Sequence, residues 1–205
     1  MNFLAHLHIA DHCHSQLLGN LLGDFVKGDP SKQYQVATEH GIRLHRFVDR
    51  TTDQHMLVEE CKHFFTGKAR RFAPIALDMF WDHCLAKHWQ QYHPLPLEQF
   101  VDSAQARVEA EISTELPEKF LNLHAKMWSG GWLLSYRELE NIEFALHRMS
   151  QRSHRMANLT TTFGVLEKQY NQLEERFAPL YRDVLLQAGN FQSSLLTKLP
   201  LSEQR

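Results

Sequence analysis

The chain is poor in several features that would each mark a functional class. Its three cysteines, Cys13, Cys61 and Cys84, are an odd number without CxxC spacing, so neither a disulfide framework nor a thiolate zinc site is encoded. No run approaches the roughly 18 uninterrupted apolar residues of a membrane-spanning helix. The opening Met1-Asn2-Phe3 lacks the basic start of a secretory signal, and a cytoplasmic protein without a membrane partner is expected. Neither sign of charge dominates: 22 Lys+Arg against 24 Asp+Glu leave a net charge of −2. That argues against nucleic acid as the main partner, because affinity for a phosphate backbone comes largely from Lys and Arg. The nucleotide-binding GxGxxG and GxxxxGKS/T, the hydrolase GxSxG and the zincin HExxH patterns are all missing. Sustained alternation of apolar and polar residues is missing too.

What the chain does have is helical periodicity, and an all-α fold of one domain over residues 1–205 is expected. Leu159, Phe163, Leu166, Tyr170, Leu173 and Phe177 predict one long helical face, with a kink at Pro179 and a stop at Gly189-Asn190. Leu139, Ile142, Leu146 and Met149 predict a second amphipathic helix. Leu97, Phe100, Val101, Ala104, Val108 and Ile112 predict a third.

Histidine is plentiful, with 14 residues. Imidazole is the commonest metal ligand, which directs attention to where His and Asp occur together. A helix starting near Pro74 runs Ile75-Ala76-Leu77-Asp78-Met79-Phe80-Trp81-Asp82-His83-Cys84-Leu85, apolar almost all round, with Asp78 and Asp82 one turn apart and His83 beside them. Buried carboxylates need compensation. A metal ion would supply it, and mixed Asp/His ligation suits Mn, Fe or Zn better than Ca. Pairing with Arg43 or Arg46, or exposure of the carboxylates, would serve equally, and the residues alone leave both readings open.

In Gly41 to Asp49, His45 and Asp49 are again one turn apart with Arg46 between them, a ligand pair and a cation on one helix. In Gly19 to Phe25, two glycines four apart allow another backbone to approach closely, and Asp24 lies one turn from Asn20. Phe3 to Ile9 sets His6 and His8 among apolar residues, where a histidine is more commonly a hydrogen-bonded core residue than a ligand. Basic residues cluster from Arg43 to Arg71 and again from Arg137 to Arg155. Such clusters suit a phosphate and an acidic partner protein, or form an ordinary solvated face.

The opening Met1-Asn2-Phe3-Leu4-Ala5-His6-Leu7-His8, the Gly19 to Phe25 and Gly41 to Asp49 runs, the Arg70 to Trp89 stretch and Leu173-Glu174-Glu175-Arg176-Phe177 together resemble the bacterial acyl carrier protein phosphodiesterases. The likeness runs in order along nearly the whole chain. It implies an all-helical bundle of HD-phosphohydrolase-like type and a Mn²⁺-dependent hydrolysis that releases 4′-phosphopantetheine from the serine of holo-acyl carrier protein. It also implies an acidic carrier protein docking on the basic residues from Arg43 to Arg71. The HD superfamily is named for an adjacent His-Asp pair, whereas this chain has Asp82-His83 in the reverse order.

Residue types, spacing and resemblance together select Asp24, His45, Asp78, Asp82 and His83 as metal ligands, with His6 as a sixth candidate. Asp82, His83 and Arg46 are the residues expected to act on the reacting phosphoryl group. Two other functions fit the residues: an HD-type phosphohydrolase of a nucleotide or small phosphodiester, and a non-catalytic helical module that binds an acidic partner protein.

Overall fold

In the computed structural model the described residues, 1–31, 33–113 and 115–197, form helices and connecting turns with no strand among them. The α-helices are α1 Phe3–His12, α2 Leu17–Leu22, α3 Val36–Asp53, α4 Met56–Lys62, α5 Ala73–Lys87, α6 Leu97–Glu109, α7 Glu118–Ser129, α8 Trp132–Ser135, α9 Leu139–Ser150, α10 Phe163–Lys168 and α11 Tyr170–Leu196. Short 3₁₀ segments lie at Gly67–Phe72, Trp89–Gln91 and His154–Thr162. No helix among these residues is long and apolar enough to cross a membrane.

The two helices that are apolar all round in sequence form the centre. In α1, residues Leu4 to Ala10 are all buried, and α5 buries Trp81, Phe80, Leu85 and Cys84 completely. Pro74 stands in the first turn of α5, where its missing N–H costs nothing. Around them, α3, α9 and α11 turn amphipathic faces inward. All three cysteines are free and buried.

The packing of α2 on α3 depends on glycine. A Cβ on Gly19 would lie 2.4 Å from the Thr38 carbonyl oxygen, and one on Gly41 would lie 2.8 Å from the Gly19 Cα. Those contacts are backbone against backbone and cannot yield. The close approach expected from the paired glycines of α2 is therefore present, and its counterpart is a glycine of α3.

Three expectations need correction. The face from Leu159 to Phe177 is not one helix: Leu159 is in a 3₁₀ segment, Phe163 and Leu166 in α10, and α11 starts at Tyr170. Thr160, Thr161 and Thr162 each donate a hydroxyl hydrogen bond to the carbonyl three residues back, which competes with α-helical geometry. Gly189-Asn190 does not stop α11, which runs through both Pro179 and Gly189 to Leu196. A mid-helix glycine costs only about 1 kcal/mol, and burial of Ala188 and Gln192 on either side of it offsets that. In the third stripe, Ile112 lies beyond the end of α6 at Glu109, whereas α9 covers the second stripe fully.

Candidate metal centre

His6 is carried by α1, His45 and Asp49 by one turn of α3, and Asp24 by the turn after α2. The ligand atoms of His6, His45 and Asp49 lie within 4.8 Å of one another. Asp49 spans the two rings, with Oδ1 3.0 Å from His6 Nε2 and Oδ2 3.1 Å from His45 Nε2. Asp24 Oδ1 reaches to 3.3 Å from the same His45 nitrogen. The imidazoles stack with centroids 3.8 Å apart.

The arrangement is built from below. His45 Nδ1 donates to the backbone carbonyl of Asn20 at 2.7 Å, which fixes the ring and aims Nε2 at the carboxylates. Asn20 is itself fully buried and tied to Ser15 Oγ and the Gln16 carbonyl. Gly23 leaves the room the ring occupies, since a Cβ there would lie 2.1 Å from His45 Cδ2. Arg46 donates to the carbonyls of Val26 and Gly28 and so closes the turn that presents Asp24.

Electrostatics show what this cluster requires. Burial pulls His45 down, but hydrogen bonds and charge from Asp24 and Asp49 outweigh it and push its pKa up to about 9. Burial, aided by the neighbouring His45, pulls His6 down to about 4. Burial raises Asp49, yet His6 and His45 hold it well below the usual carboxylate range. Two carboxylates thus keep a positive charge on an imidazole that is only 4% exposed. These are residues that could hold a divalent cation, which would take the place of that proton with the two Nε2 atoms as donors. Two imidazoles with two carboxylates form a donor set suited to Mn, Fe or Zn.

The other residues selected from sequence sit differently. Asp78 Oδ1 pairs at 2.6 Å with the Met1 amino group, which is 3.7 Å from Asp49 Oδ1, so Asp78 adjoins the cluster through that amine. Asp82 is fully buried, and its carboxylate accepts the backbone N–H groups of Asn2, Leu4 and Ala5. It caps the start of α1, one residue before His6, and anchors that helix on α5. His83 is not brought to the cluster. Its Nδ1 donates to the Tyr136 carbonyl, and Nε2 accepts from the Tyr170 hydroxyl, which also receives Lys87. His8, the other apolar-run histidine, is a core residue: Nε2 donates to the Tyr92 carbonyl and Nδ1 accepts from the Tyr181 hydroxyl. Asp49 was left out of the set selected from sequence, although its one-turn spacing from His45 carried the signal.

The model of the family described as acyl carrier protein phosphodiesterase matches residues 1–184. The chain belongs to that family. A relative from Pectobacterium atrosepticum named acyl carrier protein phosphodiesterase is 44% identical over 182 residues, 88% of this chain and 94% of its own. Relatives of the same name from Enterobacter sp. and Serratia proteamaculans are each 43% identical over 193 residues, 94% of this chain and all of theirs. No solved structure matches the chain significantly. The family is one of enzymes, as the resemblance in the opening, glycine and Arg70 to Trp89 segments implied.

Proposed function

We propose that the protein is a Mn²⁺-dependent phosphodiesterase that hydrolyses the bond between 4′-phosphopantetheine and the serine of holo-acyl carrier protein, in a helical fold of HD-phosphohydrolase-like type. The observation that carries the metal dependence is the convergence of His6, His45, Asp49 and Asp24. Family membership carries the substrate. When bound, the ion supplies Lewis-acid activation of water and of a phosphoryl oxygen.

The chain's own residues have distinct tasks in this reading. His6 and His45 are recessed, at 2% and 4% exposure, while Asp49 and Asp24 are 35% and 67% exposed, so a substrate reaches the centre from the carboxylate side. The Asn20 carbonyl holds a proton on His45 Nδ1 and aims Nε2 at the carboxylates, so Nε2 is the nitrogen that would give up its proton to a bound cation. Arg46 is a positioning residue for the Asp24 turn, and Asp82 for the helix that carries His6. The carboxylates repel a phosphodiester until the cation neutralises them, which makes the cation a condition of substrate binding as well as of hydrolysis.

Intact-protein mass spectrometry of holo-acyl carrier protein incubated with the enzyme, with Mn²⁺ and with chelator, tests this. Loss of the 4′-phosphopantetheine mass only with metal is the expected result. An unchanged carrier protein beside rapid cleavage of a small phosphodiester would move the assignment to a small-molecule phosphohydrolase.

A further inference from the structure

Two stretches of the chain contain no Asp or Glu: residues 61–77 and residues 144–166. Both are rich in cations, and the fold packs them together, because the 3₁₀ segment Gly67–Phe72 lies against the 3₁₀ segment His154–Thr162. Lys68, Arg70 and Arg71 from the first and Arg152 and Arg155 from the second are all exposed. None of the five forms an ion pair with a described carboxylate. Several other cations are taken up by carboxylates: Arg43 by Asp29 and Glu39, Lys62 by Glu59, Lys87 by Glu174, Arg107 by Asp11, and Arg137 by Glu98. A surface with five exposed cations in no ion pair with a described carboxylate, although Glu59 lies within electrostatic reach of Arg70, assembled from segments some 80 residues apart, is a standing attraction for anionic surface.

Its position relative to the metal centre is set by α5. Arg71 stands two residues before that helix, and Asp78, seven residues on from Arg71, meets the Met1 amine beside Asp49. Along this segment only about two helical turns separate Arg71 from Asp78. That is within the footprint of a standard protein–protein contact. The centre's own mouth is lined by Asp24, Asp49 and Asp78, all partly exposed, whose charge a bound cation and the Met1 amine would offset, so the surplus positive charge that draws an acidic protein lies on the ridge. Charge of this layout orients a partner as well as attracting it.

We infer that the ridge of Lys68, Arg70, Arg71, Arg152 and Arg155 is the docking surface for an acidic face of the protein substrate, holding it so that its phosphodiester reaches the neighbouring metal centre. The inference rests on the proposed phosphodiesterase reading. It differs from a surface spanning Arg43 to Arg71, because Arg43, Arg46 and Lys62 are already engaged and two of the five ridge residues come from the later segment.

The test is steady-state kinetics at low ionic strength with Mn²⁺, comparing wild type with Arg71→Glu/Arg155→Glu, the milder Arg71→Gln/Arg155→Gln, and Lys126→Glu/Lys168→Glu as a charge-matched control away from the ridge. KM for holo-acyl carrier protein should rise about tenfold or more in the Glu pair and several-fold in the Gln pair, with kcat within twofold. Bis-p-nitrophenyl phosphate should be hydrolysed at the wild-type rate by every variant. Raising salt should raise the wild-type KM and leave that of the Glu pair nearly unchanged. Wild-type KM in the ridge variants, or an equal rise in the control, would overturn the docking surface while leaving the enzymatic reading intact. Failure of wild type itself to cleave the carrier protein would overturn both.

Discussion

Replacing Gly23 by alanine adds a single methyl group at 2.1 Å from His45 Cδ2, 2.2 Å from Cγ and 2.7 Å from Cβ. Ordinary carbon contacts lie at about 3.5–4.0 Å, so the ring must move by more than 1 Å. It is already stacked on His6 at 3.8 Å and tied to the Asn20 carbonyl at 2.7 Å, so retreat disrupts one contact or the other. The backbone at Gly23, with φ −49° and ψ −41°, is helical, and there alanine is worth about 0.5–1 kcal/mol in the favourable direction. Overpacking costs about 1–3 kcal/mol, so a net loss of about 1–2 kcal/mol is expected by urea unfolding. The larger effect is on the centre: ligand distances tolerate only about 0.2 Å, and Mn²⁺ affinity by calorimetry should fall by about 100-fold or more. Gly189→Ala is the control, since its Cβ meets nothing, and it should stabilise by about 0.5–1 kcal/mol with affinity unchanged. A Gly23→Ala protein as stable and as tightly metal-binding as wild type would refute the claim that this glycine makes room for a ligand.

Burial pulls His8 down to about 4 against the pull of its hydrogen bond to Tyr92. Between that value and the unfolded 6.5 the unfolded chain binds the extra proton, so stability should fall as pH drops through this window, by about 3 kcal/mol from this residue. His8→Gln should reduce the difference in urea midpoint between pH 7 and pH 4.5, and an identical difference in both proteins would contradict the assignment. Asp82→Ala strips the acceptor from the N–H groups of Leu4 and Ala5, both fully buried. It should lower stability by about 3 kcal/mol in thermal or urea unfolding, and a loss under 1 kcal/mol would show that the cap is dispensable. Gly19→Ala, which drives a Cβ to 2.4 Å from a backbone oxygen, should cost about 2–3 kcal/mol; a wild-type urea midpoint would show that α2 and α3 can separate without penalty.

The fold class was legible because helical periodicity is local: α9 matches its apolar stripe from Leu139 to Met149, and α5 begins beside Pro74 as its sequence indicates. What periodicity does not see is competition from hydroxyls. Thr160 to Thr162 keep the start of an unbroken apolar stripe in 3₁₀ geometry, apart from the α-helices that carry the rest of it. At the site, type and spacing marked His6, His45 and Asp24, which the fold brings together, but partner choice is a tertiary matter. Asp82 and His83 have the same local appearance as ligands, yet Asp82 faces the start of α1 and His83 faces Tyr136 and Tyr170. Asp49 and Asp82 both face α1, and they differ in what α1 offers them: Asp49 meets the His6 ring, Asp82 the backbone N–H groups of the first turn. The paired glycines carried more than their packing suggested, since Gly19 sets how closely α2 approaches α3 and Gly23 leaves space for the His45 ring.

The central claim is that the ion is held by His6, His45 and Asp49 with Asp24, and not by the Asp82-His83 pair. Mn²⁺ binding by isothermal titration calorimetry, with electron paramagnetic resonance of the bound ion, on wild type, Asp49→Asn and His83→Gln decides it. The account predicts that Asp49→Asn loses at least 100-fold in affinity and the bound-ion spectrum with it, while His83→Gln retains both. Wild-type binding by Asp49→Asn together with loss of binding in His83→Gln would contradict it.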